Sequence, residues 1–246
     1  GPFDHWPKSW GFDHWWGFLS GAAGQYDPII TQDDWALGVP EGRDGESYYF
    51  PDDLTDKCIE WLRGVRAQDS SKPWFMFYST GCAHAPHHVA KEWADGYKGA
   101  FDDGWDALRE RTLARQKELG IVPPETELTP RPDDVFPAWD SLTDAQKRLY
   151  TRQMEVYAGF QENADWNVGR LLDEVDRLGD LDNTLILYIW GDNGASLEGT
   201  TTGSFNELTF LNGIVLDADQ QLKLIEQYGG IEAIGSEHTA PHVAAA

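Results

Sequence analysis

The sequence predicts an α/β fold in which a buried sheet is covered by helices on both faces. Two short runs of apolar and aromatic residues, 74–78 and 184–190, have the length and boundaries of buried strands. An amphipathic helical pattern precedes each run, over 52–67 and over 143–178. Strands that alternate with helices are typical of a sheet that is buried on both sides.

Composition limits the function classes. The chain has 246 residues and is 41% hydrophobic, which is enough for one sizeable core, so we expect residues 1–246 to form a single domain. A net charge of −23 argues against a nucleic-acid surface and against binding to an anionic membrane. No apolar stretch is long enough to cross a membrane.

The first third of the chain is predicted as loops, then a helix, then a strand. Residues 1–50 are rich in Gly, Asp and aromatics without a sustained period, which indicates irregular loops anchored by aromatic side chains. In 52–67, Leu54, Leu62 and Val65 recur at helical spacing. The strand at 74–78 follows a Ser-Ser-Lys-Pro break.

That strand leads into a polar segment with three histidines, His84, His87 and His88. A metal cluster is one interpretation of this spacing, and local hydrogen bonding in a loop is the other.

Residues 91–140 are predicted to form an excursion that covers part of the domain. A helix over 105–119 ends at Gly120, and a proline-rich segment follows. Aromatic side chains such as Trp105 and Trp139 can anchor it.

The long helix begins with Thr143 and Gln146 at capping-box spacing and ends at Gly179. The strand at 184–190 follows, and 218–228 is predicted as a further helix.

Asp192 and Asn193 come directly after the second predicted strand. The carboxyl end of a buried strand is where an open α/β sheet places a ligand or metal site. Carboxylate and amide oxygens suit Ca²⁺ or Mg²⁺. Asp-Asn-Gly is also the sequence of an ordinary tight turn, so this pattern alone leaves both interpretations open.

Several motifs, in order, resemble the arylsulfatase branch of the alkaline phosphatase superfamily. They include GFDHWWGF at residues 11–18 and YKGAFDDGWD at 97–106. The remaining matching segments are 2–7, 72–78, 84–87, 154–159 and 191–196. The resemblance covers nearly the whole chain and implies an alkaline-phosphatase-like sheet sandwiched by helices, here incomplete.

The resemblance also implies a function, the hydrolysis of small-molecule or saccharide sulfate esters at one divalent cation, usually Ca²⁺. The nucleophile in such enzymes is a formylglycine made from a cysteine in a Cys-x-Pro/Ser-x-Arg motif. Carried onto this sequence, Asp192 and Asn193 are metal ligands and His84 is the catalytic histidine that contacts the sulfate. His87 and His88 have no such role and are expected to be loop residues.

Other family features do not map onto this chain. Neither Cys58 nor Cys82 lies in the required motif, and the pairs at 33–34 and 52–53 are misplaced for the early metal-binding aspartates. We therefore expect the nucleophile, the other metal carboxylates and a sulfate-binding lysine outside these residues, and no activity from the chain alone. A phosphate or phosphonate monoester hydrolase and a non-catalytic descendant of the scaffold are the alternatives. The two cysteines could be bridged or reduced, so the compartment is undetermined.

Overall fold

The structure is a computed structural model that describes residues 3–42, 46–132, 136–191, 203–206 and 212–233. Its contacts divide the chain into two compact units. Unit 1 comprises Gly1–Pro86 and Gln161–Trp190, and unit 2 comprises His87–Phe160 and Gly191–Ala246.

Unit 1 contains a three-stranded antiparallel sheet. Its strands are β1 (Trp16–Gly17), β2 (Ile30–Gln32) and β3 (Trp35–Gly38), in that spatial order. Gln32 pairs with Trp35, so Asp33 and Asp34 form a two-residue hairpin loop, and Asp33 is left-handed with φ 51°. The prediction of irregular loops throughout 1–50 was wrong here, because such short strands give no sustained alternation.

The first helix, α1 (Phe50–Gln68), confirms the pattern at 52–67. Its apolar face packs into a core cluster, since Phe50 and Leu54 lie against Ile30 of β2 and against Tyr48. Partly buried side chains surround that cluster, namely Trp16, Phe18, Cys58 and Tyr78. The cluster therefore fixes α1 against the small sheet.

The long helix α4 (Asp144–Arg177) has the predicted ends. The Gln146 amide N–H donates to Thr143 Oγ1 at 3.3 Å, and the Thr143 N–H donates to Gln146 Oε1 at 3.0 Å. This reciprocal pair is a capping box. At the other end Gly179 takes φ 77°, as a terminating glycine does.

A row of polar contacts joins α1 to residues 167–180 within unit 1. The pairs are Asp52 with Asn167, Asp56 with Arg170, Arg63 with Glu174, and Arg66 with Asp180. Partner numbers rise together along both segments, so α1 and this part of α4 run in the same direction. We call this row the polar seam.

The predicted strands at 74–78 and 184–190 form neither strand nor helix, and the described residues give neither of them a strand partner. Many of their side chains are exposed, including Phe75 at 72%, Leu185 at 84% and Ile189 at 85%, and Tyr78 is only partly buried. The prediction that they are buried strands is therefore wrong for the described structure. An apolar strand is buried only when neighbouring strands and helices cover it, and that depends on distant sequence.

Unit 2 contains α2 (Lys91–Asp95), α3 (Gly104–Glu118), the first part of α4 and α5 (Ala218–Leu222). The α3 helix confirms the prediction over 105–119, with Gly120 left-handed at φ 71°. The helix predicted over 218–228 is shorter and passes into a 3₁₀ turn.

Short 3₁₀ helices lie in both units, at Phe3–His5, Pro7–Trp10, Trp139–Ser141, Leu181–Asn183, Ile225–Gln227 and Ile231–Ala233.

An aromatic contact anchors the segment at 91–140, as predicted. Trp105 and Trp139 are buried with ring centroids 4.9 Å apart, and Trp105 Nε1–H donates to the Pro137 carbonyl at 3.2 Å. Gly104 is required beside them, because an added Cβ would lie 2.0 Å from the Trp139 ring.

None of the described helices is both long enough and apolar enough to span a bilayer.

We expect Gly104→Ala to destabilise unit 2 by roughly 3 kcal/mol or more, because it adds an overlap with Trp139 to the strain of a left-handed φ. Gly120→Ala is the matched control. It shares the left-handed φ, but an added Cβ meets nothing within 4 Å. For this control, urea unfolding should show a free energy of unfolding that is lower by about 1 kcal/mol. Equal losses for both variants would contradict the contact with Trp139.

The polar seam predicts a pH-dependent contribution from Glu174. Hydrogen bonds from Arg63 and then Arg177 lower the pKa of this buried carboxyl from 4.5 to about 2. Its contribution is therefore present above pH 4.5 and is lost as the pH falls toward 2. We expect Glu174→Gln to lower the free energy of unfolding by roughly 1 kcal/mol at neutral pH, since both arginines are half-exposed.

The difference between native protein and Glu174→Gln should shrink as the pH is lowered from 5 toward 2. Glu60→Gln removes one exposed carboxylate from α1 and serves as the control. If Glu174→Gln lowered the free energy of unfolding by the same amount at every pH, the stabilisation could not come from the ionised Glu174 carboxylate.

Candidate active site

His84 lies in unit 1, in the turn that follows the segment 74–78. Its backbone N–H donates to the Gly81 carbonyl at 3.0 Å, and the Cys82 N–H donates to Thr80 Oγ1 at 3.2 Å. Cis peptide bonds precede Ala83 and Pro86. These local contacts shape the turn, and the His84 side chain is exposed.

The His84 ring has a defined tautomer. Nδ1 lies 2.7 Å from the Ala85 carbonyl oxygen, which can only accept, so Nδ1 carries a proton. Nε2 can then donate a hydrogen bond only when the ring is protonated. The imidazolium form of His84 is therefore the one that can give a proton to a ligand oxygen.

The exposed His84 borders a cavity of about 540 Å³ within unit 1. Volumes of this order hold small-molecule ligands. Aromatic side chains form much of its wall, including Trp10, Trp15, Trp61 and Phe75. Such rings offer flat apolar surfaces for an aryl group or a sugar.

The charge of this wall differs from that of the chain. The ionisable side chains among its described lining residues are His5, His14, Lys57, Cys58 and His84, with no Asp or Glu. The chain as a whole has 42 acidic and 19 basic residues. Lys57 is partly neutralised, since its Nζ donates to Glu60 at 2.9 Å. The cavity is thus suited to a ring-bearing anion.

His14 is a residue of this wall to which the sequence alone gave no role. Its Nδ1 lies 3.1 Å from Asp33 Oδ1 in the hairpin loop. The two residues are 19 positions apart, so no local spacing could reveal the pair. The motif GFDHWWGF drew attention to the segment without indicating a role for His14.

Neither cysteine is a nucleophile in this setting. Burial raises the pKa of the Cys58 and Cys82 thiols to about 12, so both are protonated at neutral pH. They are not joined by a disulfide. This supports the expectation that neither is the reacting group.

The predicted metal ligands, Asp192 and Asn193, lie outside the described residues. Across the ranges that the structure describes, no three His, Cys, Asp or Glu side chains are grouped to hold a metal ion. The aspartates at 33 and 52–53 make structural contacts, with His14, Asn167 and Tyr48. The assignment of Asp192 and Asn193 as metal ligands stays a prediction.

His87 and His88 belong to unit 2 and are buried, with exposures of 6% and 1%. The His87 ring packs against Tyr157, with centroids 5.0 Å apart. His87 and His88 are packed residues. In the described part of the chain, the three histidines do not form a group that could hold a metal ion.

Comparison with known proteins identifies the family. A family model described as Sulfatase matches residues 3–232. That match includes the segment of His84 and the residues that line the cavity.

Three curated relatives agree with this assignment. An uncharacterized sulfatase of Schizosaccharomyces pombe is 34% identical over 61% of this chain and 26% of its own. An arylsulfatase of Klebsiella aerogenes is 29% identical over 77% of this chain and 41% of its own. An N-acetylglucosamine-6-O-sulfatase of Bacteroides thetaiotaomicron is 30% identical over 72% and 38%, respectively.

The chain spans 26% to 41% of the length of these three relatives. The family match nevertheless extends over most of its residues, from 3 to 232. The chain therefore belongs to the sulfatase family.

Proposed function

We propose that the whole protein is a sulfuric ester hydrolase that acts on ring-bearing sulfate esters, either small aryl sulfates or saccharide sulfates. The observation that carries this proposal is the position of His84 at an aromatic cavity without a carboxylate among its described lining residues. Two relatives are named an arylsulfatase and an N-acetylglucosamine-6-O-sulfatase, so both kinds of ester are compatible with the family.

The chemistry of ester hydrolysis fits His84. When the S–O ester bond breaks, its electron pair stays on the leaving oxygen, which then needs a proton. The His84 imidazolium supplies that proton from Nε2 while the Ala85 carbonyl holds the other nitrogen in place. The aromatic wall orients the ring of the alcohol that leaves.

Asp192 and Asn193 are the proposed ligands of a divalent cation, with Ca²⁺ as the first candidate. Their carboxylate and amide oxygens are the donors that a hard cation prefers. Ca²⁺ takes about six to eight oxygens, so these two residues need further ligands from elsewhere in the protein. When bound, the cation offsets the negative charge of the sulfuryl oxygens.

The proposed nucleophile is a formylglycine that does not come from these residues. Neither Cys58 nor Cys82 lies in a Cys-x-Pro/Ser-x-Arg motif, and both thiols are protonated. The isolated 246-residue chain is accordingly expected to hydrolyse no aryl sulfate.

The finer fold is also a proposal. An alkaline-phosphatase-like sheet would use the segments 74–78 and 184–190 as strands, with partners from outside the described residues. Their exposed apolar side chains support this assignment, because such segments gain most from burial in a sheet.

We expect His84→Ala in the whole protein to lower kcat for para-nitrophenyl sulfate by about 10²- to 10⁴-fold, because the leaving oxygen loses its proton donor. Steady-state kinetics on an aryl sulfate and on the matching aryl phosphate measure this effect and the substrate class together. Lys72→Ala removes an exposed basic residue of unit 1 and should change neither rate.

Unchanged turnover in His84→Ala would remove this residue from the mechanism. Faster hydrolysis of the phosphate than of the sulfate would contradict the sulfatase assignment.

We expect Asp192→Ala in the whole protein to lose both bound metal and turnover, since a hard cation loses its charged ligand. Asp182→Ala removes an exposed carboxylate ten positions earlier and is the matched control. Elemental analysis of the purified variants measures metal content. Metal retained at the native level in Asp192→Ala would strike Asp192 from the ligand set.

A further inference from the structure

Besides His84, the described cavity wall includes the imidazole of His14, to which no family feature gives a role. His14 lies on the cavity wall with its side chain 30% exposed. In the described structure its ring makes one hydrogen bond, from Nδ1 to Asp33. The ring is therefore held at Nδ1 in a side chain that is partly exposed and lines the cavity.

The partner of His14 is itself held in place. The Asp33 backbone N–H donates to the Trp15 carbonyl at 2.9 Å, and Asp33 Oδ1 accepts the Trp15 N–H at 3.0 Å. Asp33 also has a left-handed φ of 51° in the hairpin loop. Three backbone features thus fix the carboxylate that orients His14, so the ring orientation is built into the fold.

An oriented imidazole that borders a cavity can bind a ligand as well as stabilise the hairpin. A carboxylate that accepts from Nδ1–H leaves Nε2 for a second partner. Here the described lining is basic and aromatic, so the partner that fits is an anionic group carried on a ring.

We propose that His14, positioned by Asp33, is a contact for the anionic group of a ring-bearing sulfate or sulfonate that binds in this cavity. Because Nδ1–H is donated to Asp33, the His14 ring presents Nε2–H in its imidazolium form, and this Nε2–H donates to an oxygen of that group while the aromatic wall holds the ring. His14 then determines which ligands bind, by favouring an anion over a neutral molecule of the same shape. This inference rests on the proposed function for the identity of the ligand.

The test is equilibrium binding to the whole protein with two ligands that contain no ester bond, so that no turnover takes place. Isothermal titration calorimetry compares para-nitrobenzenesulfonate with methyl para-nitrophenyl sulfone, a neutral molecule in which a methyl group replaces one oxygen. The measured quantity is the ratio of the two Kd values. We expect the native chain to bind the anion with a Kd roughly tenfold or more below that of the neutral sulfone. A charge-assisted hydrogen bond gives a difference of this size.

His14→Gln should reduce that preference by roughly tenfold while binding of the neutral sulfone is kept. Lys72→Gln is the matched control, since it removes an exposed positive charge of unit 1 that does not line the cavity. His14→Asn is a second variant, whose side-chain amide can still donate to Asp33. It covers the case in which the hairpin depends on the hydrogen bond between residue 14 and Asp33. Inorganic sulfate alone should bind more weakly than the sulfonate, because it lacks the ring.

An unchanged ratio in both His14 variants would overturn the inference, and so would an equal fall of the ratio in Lys72→Gln. A native chain that binds the neutral sulfone as tightly as the sulfonate would also overturn it. Failure of the proposed function has a different signature. In that case the whole protein turns over no sulfate ester, while the His14-dependent preference for the anion is still measured.

Discussion

The polar seam between α1 and residues 167–180 is the interaction on which unit 1 depends. Four charged or amide pairs keep α1 in one register, and Glu174 accepts from both Arg63 and Arg177. Individual exposed pairs stabilise a protein only slightly, but a row of them excludes alternative registers. Since α1 supplies Leu54, Lys57, Cys58 and Trp61 to the cavity wall, its register sets the shape of that wall.

The cavity also shows how an acidic protein can receive an anion. With a net charge of −23, the surface as a whole repels sulfate esters. The described lining residues of the cavity include histidines and a lysine but no carboxylate, so an anion there meets no acidic lining side chain. Asp33 contacts the lining residue His14, and its carboxylate is hydrogen-bonded both to the His14 ring and to the Trp15 backbone. The Asp33 carboxylate therefore orients the His14 ring.

Local features were predictable from the sequence, and long-range ones were not. The ends of α4 and α3 follow from Thr143, Gln146, Gly179 and Gly120, because capping depends on residues a few positions apart. The hairpin around Asp33 was missed because its strands are too short for a period. Burial of 74–78 and 184–190 depends on partners that a strand's own residues do not specify. His84 was found through a motif and lies at the cavity, whereas the pair of His14 and Asp33 is created only by folding.

The central claim is that a ring-bearing anion binds in the cavity beside α1, facing His84. A crystal structure of the chain with para-nitrobenzenesulfonate is the most direct measurement. The account predicts density for the ring against the aromatic wall, with sulfonate oxygens within hydrogen-bond distance of His84 or His14. A cavity closed by its own side chains, or a ligand bound elsewhere on the molecule, would contradict it.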